Sequence, residues 1–135
     1  MTPEQFIRGQ VARYAIDEAA HHGGTDNMCA VVHVLRNRVQ AGWQGSDWMK
    51  VLEDAGSKAG SIVELPAINL HDMGVRLFLS RVDDIFAGRE ADMVSGALYY
   101  AELHNITREW FKRNITGKPS DHPRVATVGP VAFFK

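Results

Sequence analysis

Apolar residues recur at helical spacing from the start of the chain. Phe6, Ile7, Val11, Tyr14, Ala15 and Ile16 make one broad stripe, which predicts an amphipathic helix. Thr2 is placed to cap it, Pro3 suits its first position, and Gln5 stands three residues after Thr2 as a capping box requires. Gly23-Gly24 marks its end, because glycine takes the left-handed conformation at a helix stop. A second helix follows, capped by Thr25 or Asp26. It buries Met28, Val31, Val32, Leu35 and Val39 and stops at Gly42. A short third helix starts at Ser46 or Asp47 and turns Met49, Val51 and Leu52 inward. From Gly56 to Asn69 the pattern breaks, with Gly56, Gly60 and Pro66 among Ile62, Val63 and Leu65, and reads as a loop. The helical period returns from Asp72 to Ala87 through Met73, Val75, Leu77, Phe78, Val82, Ile85 and Phe86, and Gly88 closes it.

Beyond residue 95 the pattern changes. Gly96-Ala97-Leu98-Tyr99-Tyr100-Ala101-Glu102-Leu103 is rich in strand-favouring residues and predicts a short strand around Leu98, Tyr99 and Tyr100. Asn105 to Asn114 suggests a helical turn anchored by Trp110, and Gly117, Pro119 and Pro123 mark a loop. Val125–Val128 and Val131–Phe134 flank Gly129-Pro130 and read as a hairpin. Four helices followed by a small antiparallel sheet define an α+β domain, taken here as a single domain over residues 1–135.

The composition narrows the function classes. Fifteen Lys and Arg against sixteen Asp and Glu leave a net charge of −1, which argues against a dedicated nucleic-acid binder. No apolar run approaches the roughly 20 residues of a membrane span. Cys29 is the one cysteine, so neither an internal disulfide nor a cysteine zinc cluster can form. The opening residues lack the layout of a signal peptide, so synthesis in the cytoplasm is expected.

The densest chemistry lies in Asp17-Glu18-Ala19-Ala20-His21-His22. Glu18 extends the line of Val11, Tyr14 and Ala15, since residues three or four apart share a helix face. A carboxyl partly buried there is expected to have a raised pKa, which suits a general acid near neutral pH. The alternative is a solvated carboxylate at a helix end. Glu18 and His21 also form an E-x-x-H pair of the kind used in di-iron bundles, so Glu18, His21 and His22 make a rival metal site. No second copy of that pair occurs, and His33 has no carboxylate at the matching spacing. No cofactor is called for. Cys29 reads as a small core residue. Tyr99, Tyr100, Trp110, Phe133 and Phe134 suit stacking on sugar rings or the filling of a core. Arg108, Lys112 and Arg113 make a basic face beside Trp110.

Two blocks of the chain carry a resemblance. The first, Ala15 to Val39, has Glu18-Ala19, the Gly23-Gly24 turn, and Asn37-Arg38-Val39 closing a helix of small apolar residues. The second has Gly96-Ala97-Leu98-Tyr99-Tyr100, Asn105, Trp110, and the hairpin Val125-Ala126-Thr127-Val128-Gly129-Pro130-Val131-Ala132-Phe133. In order and spacing these motifs resemble the SleB-type cell-wall hydrolases, the catalytic domain of spore cortex-lytic enzymes. The resemblance implies a helix-rich, lysozyme-like fold and cleavage of the β-1,4 glycan strands of peptidoglycan, by lytic transglycosylation or hydrolysis. The family's catalytic glutamate falls on Glu18; substrate-binding positions fall on Tyr99, Tyr100, Asn105 and Trp110. The partner implied is the glycan strand, reached by export or by a phage-type release. The family's Arg-Gly-Glu after the catalytic pair is replaced by Ala20-His21-His22, its central Q-F-S-type segment is absent between Gly56 and Asn69, and Val131 stands in place of its hairpin histidine. These departures ground the alternative of a catalytically inactive module that binds peptidoglycan or serves a phage structure.

Overall fold

A computed structural model describes residues 2–19, 24–56, 68–103 and 122–135 of the chain. Its helices are α1 (Pro3–Ala19), α2 (Thr25–Gln40), α3 (Trp48–Gly56) and α4 (Met73–Phe86), and its strands are β1 (Tyr99–Glu102), β2 (Arg124–Val128) and β3 (Val131–Phe134). The α+β organisation expected from the pattern is therefore the one observed, with the helices first and the sheet last.

Local chemistry fixes most helix ends. The Thr2 backbone N–H donates to Gln5 Oε1 at 2.9 Å and the Gln5 N–H donates to Thr2 Oγ1 at 3.1 Å, a reciprocal capping box. Asp47 accepts from the Lys50 N–H at 3.1 Å at the start of α3, and Asp72 accepts from the Val75 N–H at 3.0 Å at the start of α4. Gly42 and Gly88 take φ of 86° and 77° just beyond α2 and α4, the left-handed stop that glycine allows cheaply. The second helix departs from expectation at its start. Gly24 is its cap residue, and neither Thr25 nor Asp26 caps it; the Thr25 hydroxyl donates instead to the Gly74 carbonyl at 2.9 Å, tying α2 to α4.

The core is organised around α2. Every residue from Asn27 to Leu35 is buried, not one stripe alone. Met28, Cys29, Val31, Val32 and Leu35 join Val11, Tyr14 and Ala15 of α1, Val51 and Leu52 of α3, and Val75, Phe78, Val82 and Ile85 of α4 in one cluster. Ala30 and Val34 face the other way, onto Val94, Ala97, Val131 and Phe133. An element covered on all sides buries more than one stripe, so Ala30 and Val34 lie in the core beyond the predicted face, and Cys29 is the core residue it was expected to be. Met73 and Leu77, which belong to the apolar period of α4, are 60% and 51% exposed. A helix period alone does not say which edge of the stripe faces out. Met49 is half-buried, unlike Val51 and Leu52.

The strands form one antiparallel sheet in the order β1-β3-β2. β3 is central and buried on both faces, so Val131 to Phe134 is an unbroken apolar run. Tyr100 lies opposite Phe133 and faces the helices, while Tyr99 lies opposite Phe134 on the other face. Among the described residues, no helix is long and apolar enough to cross a membrane. Of the loop predicted from Gly56 to Asn69, Gly56 closes α3 and residues 57–67 lie outside the described residues, as does the helical turn over 105–114.

Candidate active site

Glu18 occupies the last turn of α1, half-buried, one turn beyond Tyr14. The Tyr100 hydroxyl, from β1, donates to Glu18 Oε1 at 2.9 Å. The Tyr14 hydroxyl stands 3.3 Å from the Tyr100 hydroxyl and 3.4 Å from the Ala55 carbonyl oxygen at the end of α3. Three elements, α1, α3 and β1, thus meet in one chain of hydroxyls that ends on the carboxyl. Burial and the neighbouring Glu18 carboxyl push the Tyr14 phenol above its ordinary range, opposed by the hydrogen bond with Tyr100 and then by the Arg38 cation. The Tyr100 phenol is raised well above its ordinary range, first by burial and then by Tyr14 and Glu18. Both phenols therefore keep their protons at neutral pH, and Tyr100 serves as a standing donor to the carboxylate.

The segment before β1 sets the position of Tyr100. Asp92 accepts from the Val94 N–H at 2.9 Å and the Gly96 N–H at 2.6 Å, closing a turn in which Ser95 and Gly96 have φ of 52° and 80°. Asn37 donates to Asp92 Oδ2 and to the Ala97 carbonyl, both at 3.1 Å. Arg38 Nε donates to the Leu98 carbonyl at 2.8 Å. The Asn37-Arg38 pair of the first sequence block thus grips the backbone of the second block two and three residues ahead of Tyr100. Asp92 and Tyr14 were not among the residues predicted for the site. Tyr14 carried a usable sign, since a buried tyrosine hydroxyl needs a partner and Glu18 lies one turn away.

Tyr99 is placed differently from Tyr100. Successive strand residues point to opposite faces, and Tyr99 packs 5.6 Å from the Trp43 ring and edge-on to His122 at 4.8 Å. Arg38 lies 4.8 Å over the same Trp43 ring. Of the two tyrosines, Tyr100 alone has its hydroxyl on Glu18 in the described contacts. Asn105, Trp110, His21 and His22 lie outside the described residues. Among the described residues, no cluster of three or more His, Cys, Asp or Glu side chains is arranged to hold a metal.

The remaining reactive side chains sit elsewhere. Cys29 is fully buried, and desolvation pushes its thiol up to about 11, so it is a core residue and not a nucleophile. His33 is buried on α2, with Nδ1 3.8 Å from Asp92 Oδ1, and burial lowers its pKa. Comparison of the chain with family models, curated proteins and solved structures returns no match.

Proposed function

We propose that the protein cleaves the glycan strands of peptidoglycan between N-acetylmuramic acid and N-acetylglucosamine, with Glu18 as general acid and then general base. The observation that carries this reading is the hydrogen bond from Tyr100 to Glu18 Oε1. A carboxyl with one oxygen fixed by a neutral donor presents its second oxygen in a defined direction, which acid–base catalysis requires. The resemblance of the two sequence blocks to SleB-type hydrolases supplies the substrate class.

The reaction closes with one protein carboxyl. Glu18, protonated, gives its proton to the bridging glycosidic oxygen as the bond to C1 of the muramic acid breaks. The carboxylate so formed takes the proton of that sugar's C6 hydroxyl, whose oxygen bonds to C1 and closes a 1,6-anhydro ring. The carboxyl ends protonated, ready for another bond. Hydrolysis, by contrast, usually employs a second carboxyl to activate water or to bond the sugar.

Purified sacculi incubated with the wild type and with Glu18→Gln test the reading. The wild type is expected to release soluble fragments and the variant to release essentially none. A folded wild type that binds sacculi and releases nothing would overturn the enzymatic reading in favour of a binding module.

A further inference from the structure

The hydroxyls of Tyr14 and Tyr100 form a chain between Glu18 Oε1 and the Ala55 carbonyl, with spacings of 2.9, 3.3 and 3.4 Å. We propose that Tyr14 is a positioning residue for Glu18, acting through Tyr100 as the far half of a reversible hydrogen-bond relay.

The proton count shows how the relay works. With Glu18 ionised, two protons serve the chain: Tyr14 donates to Tyr100, and Tyr100 donates to Oε1. With a third proton on Oε1, both phenols rotate about their C–O bonds. Glu18 then donates to Tyr100, Tyr100 to Tyr14, and Tyr14 to the Ala55 carbonyl. No proton leaves either phenol, and every hydroxyl keeps a donor role in both states. The Ala55 carbonyl is essential, because it accepts the Tyr14 hydrogen bond when Tyr100 turns round. A single tyrosine in this place would lose its acceptor whenever the carboxyl was protonated on that oxygen, and an unpaired buried donor is costly. The relay holds Oε1 in one position through both charge states of Glu18. With Oε1 anchored in both states, the second oxygen, which exchanges the proton with the sugar in the proposed reaction, keeps its direction.

Among the described residues, charged groups act on the two phenols from α1 and α2. On α1, Glu18 and Asp17 act on the Tyr14 phenol; on α2, Arg38 acts in the opposite sense. Tyr100 on β1 is influenced by Tyr14 and Glu18. α3 contributes the neutral Ala55 carbonyl.

The proposal rests on Glu18 changing its protonation state in the reaction proposed above, but its test needs no substrate. The full chain is labelled with carbon-13 at the tyrosine ring carbon bearing the hydroxyl, and its three tyrosine signals are followed as pH falls through the carboxylate range. In the wild type the Tyr14 and Tyr100 signals are expected to move with one common inflection, which Tyr99, packed against His122, does not share. In Glu18→Gln both lose the inflection, and in Tyr100→Phe the Tyr14 signal loses it. A Tyr14 signal that stays flat in the wild type, or that keeps its full inflection in Tyr100→Phe, overturns the relay. The wild type and Glu18→Gln decide the matter if Tyr100→Phe does not fold. A wild type that shows the common inflection and leaves peptidoglycan uncut supports the relay and overturns the assigned reaction.

Discussion

Tyr100 on the first strand donates a 2.9 Å hydrogen bond to Glu18, which lies in the last turn of the first helix. The strand is aimed by contacts from the second helix, where Asn37 and Arg38 hold the carbonyls of Ala97 and Leu98. The catalytic proposal therefore depends on the packing of α1, α2 and β1 as much as on the carboxyl itself.

Replacing Tyr100 by Phe keeps the ring against Phe133, from which it lies 6.0 Å, and deletes the donor. A hydrogen bond to a charged group is worth about 1.5–3 kcal/mol. Turnover is expected to fall roughly 10-fold to 100-fold at the same energy scale, chiefly in kcat, with the fold retained. Steady-state kinetics on solubilised glycan strands checks this. A variant with unchanged kcat removes Tyr100 from the mechanism.

Asp92 is expected to matter at a distance from the chemistry. Asp92→Ala removes the acceptor for Val94, Gly96 and Asn37 and frees the turn that leads into β1. The carboxylate is partly exposed, so the loss should be modest, about 1–3 kcal/mol in denaturant unfolding. Wild-type stability in this variant would show that the turn holds its shape without the side chain.

His33 gives the stability a defined pH dependence. Its pKa is lowered by burial from the ordinary 6.5, although Asp92 and Glu90 partly offset the shift. Below that ordinary value the unfolded chain takes up a proton that the folded chain refuses, so acidification favours unfolding. The stability contributed by a neutral His33 is complete above about pH 6.5 and is lost as pH falls toward the folded-state value. His33→Gln should flatten this part of the curve of melting temperature against pH. An unchanged slope in the variant would assign the dependence to other groups.

Cys29 should resist alkylation in the native protein, because it is fully buried and its thiol pKa is raised to about 11. Iodoacetamide at neutral pH is expected to label it only at the rate of unfolding. Rapid native labelling would mean that the packing around α2 opens readily.

Features set by neighbouring residues were legible in the sequence. The Thr2–Gln5 box, the Asp72 cap, the glycine stops at 42 and 88, and the hairpin at Gly129-Pro130 all follow from local chemistry. Features set by the assembled fold were not. The pattern offers Thr25 as a cap, yet its hydroxyl is drawn to Gly74 of α4. The turn at Trp43–Ser46, with Gln44 and Ser46 at positive φ, has no local pattern that announces it. Glu18 was singled out because it prolongs the buried line of α1. Tyr14 lies on the same line and is a core residue, as the pattern predicts; the partners of its hydroxyl, Tyr100 and Ala55, come from β1 and α3 and have no local signal.

The measurement that tests the central claim most directly is the chemistry of the cut ends. Purified peptidoglycan is digested with wild-type protein and with Glu18→Gln, and the products are resolved by chromatography and mass spectrometry. The wild type is expected to leave 1,6-anhydro-muramic ends and Glu18→Gln to lose about 10²–10⁴-fold in activity, the usual worth of acid–base catalysis. Equal activity in Glu18→Gln, or no cleavage by a folded wild type, would contradict the central claim.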